Sequence, residues 1–361
     1  MKNMLIILFL IAVVFSQKSI VLTQTNENPF SLKETFKLID DDEGFYEEVI
    51  TRVSPNGTFY VYDKGNKTCS KFDKNGTFIS SFGKQGNGPG EFSDFILDFT
   101  ASNDRLIFKN MAGRTVMIFN TDGKYITNVN KHFIFGAQIV INGENLEFHF
   151  PKNELTKMLK VTLSKDGKFI SKVENKGHVK GALNKMLKTG GVDDLQKTMQ
   201  QPLSFMPYNG GYAQHYMGEY KIDFINKKHE NIKRINYEYN RVKIDDLFEL
   251  ASRTEKKMLK NVPKAALKRV SQVFEKMSNI LGGYHSDIID IIGTHNNYLF
   301  VQTKSKDDKI LLIDVISAND KIVQKIKIKC DEITSTKVLF GYLLVNQTNE
   351  DNGPYTSVYK L

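Results

Sequence analysis

Phe82-Gly83-Lys84-Gln85-Gly86-Asn87-Gly88-Pro89-Gly90-Glu91-Phe92 is the stretch on which the fold turns. Glycine gains no packing inside a helix or strand, and proline brings no backbone donor, so neither regular element fits here. The phenylalanines at its two ends argue for anchorage in a core on both sides. We read a compact connection between two copies of one β-unit. A phosphate-binding glycine loop is the rival, but that loop ends in Gly-Lys-Ser/Thr and enters a helix. Here Pro89-Gly90-Glu91 leads into a strand instead. A Gly88→Val or Pro89→Leu change is therefore expected to lower stability before it alters binding.

Upstream the chain divides into four short strands, Glu48 to Val53, Thr58 to Tyr62, Lys67 to Phe72 and Thr77 to Phe82. Ser54-Pro55-Asn56-Gly57, Asp63-Lys64-Gly65-Asn66 and Asp73-Lys74-Asn75-Gly76 separate them. Asn-Gly between alternating runs signals a two-residue hairpin, because type I′ turns need positive φ at both central residues. The product is a four-stranded antiparallel meander. Downstream the pattern returns: Leu106-Ile107-Phe108 matches Phe59-Tyr60-Val61, Phe119-Asn120 matches Phe72-Asp73, and Gly123 matches Gly76.

Residues 57 to 126, and the Gly-Asn-Gly-Pro-Gly-Glu-Phe form of the loop above all, resemble an NHL-type β-propeller blade and its connection to the next. The likeness is to exported six-bladed β-propellers of Bacteroidetes-like bacteria. Two departures stand out: Ser93-Asp94 replace the proline usual after the loop phenylalanine, and Asn110-Met111-Ala112-Gly113 replaces the first unit's Asp-x-Gly-Asn turn. The resemblance implies an all-β fold, a six-bladed propeller of four-stranded antiparallel blades.

Beyond residue 126 strand pattern alone carries the repeat. Second strands begin at Phe59, Leu106, Leu146, Tyr212, Tyr298 and Tyr342, at intervals of ~40–50 residues where no insertion intervenes. Two wider intervals hold helical insertions, about 178–201 and 245–280; Ala266, Leu267, Val270, Val273, Phe274 and Met277 recur at helical spacing in the second. Pro263 splits it into two helices. The last copy has three strands, Glu332 to Gly341, Tyr342 to Asn346 and Tyr355 to Lys360, so Thr35 to Ile39 is expected to supply its outer strand. Closing the ring with a strand from each terminus removes an exposed edge.

Lys2 followed by the apolar run Leu5 to Phe15, with small Val14 and Ser16 at the −3 and −1 positions of a cleavage site after Ser16, reads as a signal peptide over residues 1–16. The run is short for a bilayer span, so no stable membrane span is expected after cleavage, and the chain is expected to be exported, periplasmic or secreted. Cys69 and Cys330 are too few for a disulfide framework in 361 residues and read as free thiols. The net charge of +9 comes from dispersed lysines, without an arginine cluster or RNA-binding aromatic motif, and nucleic acid is set aside.

Aligning the second strands gives a column of fourth residues: Tyr62, Lys109, His149, His215, Val301 and Val345. The fifth residues include Asp63 and Asn110. In a propeller, matched positions surround the channel at one level, so Tyr62, Lys109, His149, His215, Asp63 and Asn110 are the candidate ligand site at a channel mouth. Wet, variable strand ends are the competing reading. Zinc would need three ligands and an open position, and the blade-five counterpart of His149 and His215 is Val301, so no metal and no cofactor is assigned. Neither a Ser-His-Asp signature nor a nucleophile elbow is present, and no catalytic residue is assigned. The expected function is a binding scaffold for a protein, peptide or glycan; the alternative is a propeller lyase or hydrolase at the channel mouth.

Overall fold

The computed structural model describes residues 19–21, 23–24, 27–39, 44–86, 88–92, 96–110, 115–130, 138–142, 145–149, 158–164, 169–174, 206–227, 230–246 and 264–361. The expected signal peptide and the insertion at 178–201 lie outside them. Val49–Val53 (β4), Phe59–Asp63 (β5), Thr68–Phe72 (β6) and Phe78–Phe82 (β7) hydrogen-bond in chain order as an antiparallel meander. Gly57 and Gly76, each at φ 85°, make the reversals that the Asn-Gly pairs foretold. The unit repeats as Ile96–Ala101 (β8), Arg105–Asn110 (β9), Thr115–Asn120 (β10) and Tyr125–Asn130 (β11). It repeats again as Gln138–Asn142 (β12), Asn145–His149 (β13), Met158–Leu163 (β14) and Phe169–Glu174 (β15).

A further sheet holds Met206–Tyr208 (β16), Gly211–His215 (β17), Lys221–Ile225 (β18) and Asn231–Asn236 (β19), with Ser19–Val21 (β1) added parallel to β19. The remaining strands join into one nine-stranded sheet. Its first half is Ile288–His295 (β20), Tyr298–Thr303 (β21), Ile310–Ile316 (β22) and Lys321–Lys329 (β23), edged by Thr23–Gln24 (β2). Its second half is Glu332–Leu339 (β24), Tyr342–Asn349 (β25) and Gly353–Lys360 (β26), edged by Lys33–Leu38 (β3). The halves meet through a single parallel pair, Gly293 with Val338. Strand β3 runs antiparallel to β26, with Phe36 opposite Val358, so the early strand closes the last unit.

Burial explains why the strands read as apolar runs. All five residues of β5 are buried because its two faces meet different neighbours. Phe59 and Val61 pack with Leu344 and Val358, while Tyr60 and Tyr62 pack with Phe108 and Phe119. The same division recurs at β21, where Leu299 and Val301 join Tyr208 and Ile222, and Phe300 joins Phe30 and Leu343. Covering both faces of a sheet replaces polar alternation by a continuous apolar sequence. The sheets therefore stack face to face as propeller blades do.

Phe92 is fully buried between the first two sheets, 5.1 Å from the Tyr62 ring and 5.0 Å from that of Phe108. Phe82 packs 5.6 Å from Phe119 in the second sheet. Between them the loop closes on itself: Phe92 N donates to Lys84 O at 2.8 Å and Gly88 N donates to a Glu91 carboxylate oxygen at 2.9 Å. Helix is scarce among the described residues. Lys264–Ile280 (α1) forms the later part of the second insertion, and Pro263, the expected break, lies outside the described residues. No described helix is long and apolar enough to cross a membrane. Cys69 and Cys330 are both free, their thiols pushed up by burial, Cys330 to about 11.

Candidate functional site

The first strand of each meander lies innermost, because β4, β8, β20 and β24 touch first strands of neighbouring sheets. Their side chains and the turns that follow them line a cavity of about 930 Å³. That volume falls at the upper end of ordinary ligand pockets. Arg52 and Pro55 reach it from the first sheet, Asp98 and Thr100 from the second, Tyr208 and Asn209 from the β16–β17 turn. His295 and Asn296 come from the β20–β21 turn, and Lys337 and Phe340 from β24 and its turn.

Two ion pairs set the electrostatics of these walls. The Arg52 guanidinium donates to Asp98, to Phe99 O at 2.9 Å and to Thr51 O at 2.6 Å. All three of its nitrogens are thereby engaged. Asp98 also accepts from Phe99 N at 2.7 Å, yet about half of its side chain (51%) stays open. Lys337 Nζ donates to Asp290 Oδ2 at 2.9 Å, and His215 Nε2 lies 3.7 Å from the other oxygen of the same carboxylate. Burial alone would raise the Asp290 carboxyl, but His215 and Lys337 outweigh it and hold it at about 2. His295 is pulled below its ordinary 6.5 by burial, so it is neutral at neutral pH.

The turns differ in the conformation they demand. Asn209 and Gly210 take φ of 47° and 75°, and Asn296 and Asn297 take 48° and 65°, the residue types that tolerate left-handed backbone. The corresponding turn in the last unit is Phe340-Gly341, with Phe340 at φ 48° and half exposed (51%). A bulky residue there is an outlier, costing on the order of 1–2 kcal/mol by the left-handed penalty.

The residues expected from the second-strand column lie elsewhere. Tyr62, Lys109, His215, Asp63 and Asn110 occupy the far ends of their strands, opposite the turns that line the cavity, and none of them lines it. Tyr62 is buried among Phe92 and Phe108, its hydroxyl without a partner among the described residues and held protonated by burial. Asp63 accepts from Tyr46 N at 3.0 Å and Gly65 N at 2.7 Å, which fixes the chain entering and leaving the hairpin. Lys109 sits opposite Asp98 in the β8–β9 register, and burial lowers its ammonium against the pull of that carboxylate. Asn110 is buried at the strand end beside it. His149 ends β13 opposite Gln138; its side chain lies outside what is described. The column therefore stands behind the inner strands, and two of its members, Lys109 and His215, neighbour the carboxylates Asp98 and Asp290.

Sequence alignment missed Arg52, Asp98, Asp290, Lys337 and Phe340. One signal was available for the last: a phenylalanine in the turn slot that other units fill with asparagine or glycine. Among the described residues no three His, Cys, Asp or Glu side chains converge as a metal-binding group.

Fold and cavity together define the chain as an all-β, propeller-like protein with a cavity lined by apolar side chains, among them Val53, Met206, Ile292 and Leu339, with polar groups set between them. No family model matches the sequence, and no curated protein matches it. Solved structures do resemble it. One is a Bacteroides fragilis protein described as exported, 12% identical, TM-score 0.53, covering 95% of this chain and 99% of that one. Another is a DUF4221 family member from Bacteroides vulgatus, 11% identical, TM-score 0.51, covering 93% and 99%. The β-propeller domain of Cps50 (Swd1) from Myceliophteria thermophila aligns at 8% identity and TM-score 0.43, over 91% of this chain and 99% of that domain. At the identities of the two Bacteroides proteins, what is shared with them is the fold.

Proposed function

We propose that this chain is an exported six-bladed β-propeller that binds a ligand in its central cavity. The carrying observation is the cavity of about 930 Å³, lined by apolar side chains and by the paired Arg52, Asp98 and Lys337, and rimmed by turns from several sheets. The count of six is supported by taking the nine-stranded sheet as two units, since a single residue pair joins its halves. Export is supported by Lys2 and the apolar run Leu5 to Phe15, and by likeness to a Bacteroides fragilis protein described as exported. A protein, peptide or glycan segment is the size of ligand such a concavity admits.

Thr100 lines the cavity from β8 and is partly exposed, so Thr100→Trp fills space without removing a described hydrogen bond. Arrayed oligosaccharides and peptides should include ligands captured by the wild type and lost by Thr100→Trp at unchanged melting temperature. Ligands that bind both proteins equally would place the site outside the cavity and sink this reading.

A further inference from the structure

We infer that the ligand is an uncharged, polyhydroxylated molecule, a short neutral saccharide segment, seated against Phe340. This rests on the cavity being the binding site. A chain of net charge +9 invites an anionic ligand as the first expectation. The cavity walls argue against it. Arg52 is engaged at every nitrogen, and its charge is matched by Asp98. Lys337 is matched by Asp290 at 2.9 Å, and His295 is neutral at neutral pH. An entering carboxylate or phosphate would meet two carboxylates already holding the cations, and breaking a half-buried pair leaves one charge uncompensated. Lys227 carries the remaining positive charge of the lining but is exposed, where salt screens it.

Phe340 supplies the complementary observation. Its turn would be relaxed by asparagine or glycine, as in the Asn209-Gly210 and Asn296-Asn297 turns, yet an aromatic ring is held there in left-handed backbone and left half exposed (51%). Strain kept at the rim of a cavity points to use. An aromatic face, negative at its centre, complements the C–H face of a sugar ring. The hydroxyl edge of such a ring needs partners that both donate and accept. The exposed amides of Asn209 and Asn296 offer both, and the open side of Asp98 accepts. An apolar plate, a neutral hydrogen-bonding wall and no uncompensated buried charge fit a neutral saccharide.

Calorimetry with the full chain tests this against gluco-, manno- and chito-oligosaccharides, uronate oligomers and an acidic peptide. At least one neutral series should bind, with affinity changing less than about twofold between about 0.05 and 0.5 M salt. Phe340→Asn should weaken it at least about tenfold while raising the melting temperature, and Phe340→Tyr should keep it. That opposite movement of binding and stability is not what a merely structural residue would show. Binding confined to uronates or the acidic peptide with a steep salt dependence overturns the inference, as does neutral-sugar binding indifferent to Phe340→Asn. If such a charged ligand, or any peptide, is lost on Thr100→Trp, the saccharide inference fails while the cavity reading stands. If no ligand is sensitive to Thr100→Trp, both fail.

Discussion

Asp290 ties the innermost strand to two neighbouring units, through Lys337 at 2.9 Å and His215 at 3.7 Å. Its carboxyl is held at about 2, below the ordinary 3.8, so the folded state binds its proton less readily than the unfolded chain. The stabilisation is therefore fully present above about pH 4 and is lost as pH falls through 3.8 towards 2, amounting to at most about 2 kcal/mol. Asp290→Asn should lower stability at pH 7 and flatten the acid limb of a urea-denaturation profile over that window; an unchanged acid limb would refute the pairing. Gly83 makes the second prediction at this scale. It sits at φ 79°, and a Cβ there would overlap the Phe92 ring, whereas a Cβ on Gly88 meets only the flexible Glu91 side chain, at 3.1 Å. Gly83→Ala should thus lower the melting temperature more than Gly88→Ala, by a margin of about 1–3 kcal/mol in denaturation. The glycine loop and its two phenylalanine anchors were legible because aromatic residues beside glycine have few other uses. The charged pairs were not legible, because Arg52, Asp98, Asp290 and Lys337 look like ordinary solvated residues until it is known which strand faces the centre.

Among the elements, the first meander was read within a residue, since Asn-Gly turns fix its strand ends, whereas the strand expected over Tyr342 to Asn346 runs on to Asn349. The outer strand Thr35 to Ile39 was also read, and is observed as Lys33–Leu38. What escaped is the course of the segment before it. Strand β1 lies parallel to β19 and β2 parallel to β23, so one stretch of chain runs along the outer edges of two units before closing a third. Pairing of this kind uses backbone groups and needs no side-chain pattern, which is why strands of two and three residues gave no sign of it. Phe30 and Gln324 hold the segment down. Phe30 is buried 5.2 Å from both the Tyr298 and Phe300 rings, and its backbone exchanges two hydrogen bonds with the Gln324 amide, at 3.1 and 2.8 Å. Phe30→Ala should cost about 3–5 kcal/mol and Gln324→Ala about 1–2 kcal/mol. Because both anchor the same few residues, the double variant should lose less than the sum of the two. Additive losses in a denaturant cycle would show that the two contacts act independently. Phe30 also lies 6.0 Å from the His295 ring, which lines the cavity, so this edge segment buttresses a wall of the site.

For the whole molecule, the question is what keeps a set of meanders from opening at the seam. Among the described residues, β5 and β21 bury both faces against neighbouring units, so parting such units exposes an apolar face. The seam between the last and first units is sealed three ways. Strand β3 pairs with β26, Phe36 packs 5.4 Å from Phe59 of the first unit, and Thr51 and Thr356 share a buried hydroxyl contact of 2.6 Å between them. Residue spacing foretold the first of these and not the last, since Thr51 and Thr356 are 305 positions apart and carry no pattern. Removing residues 1–38 deletes β1, β2, β3, Phe30 and Phe36 at once and bares the β26 edge. We expect that truncated chain to melt at a lower temperature and to associate with rising concentration in sedimentation, because an unpaired β26 offers its donors and acceptors to another copy. Adding back the 17–38 peptide in trans should reverse both effects, since it restores the missing strand without changing the remaining chain. A truncated chain that stays monomeric and melts with the full-length protein would mean that the first and last units hold together through side-chain packing alone, and that the early strand follows the ring's closure instead of making it.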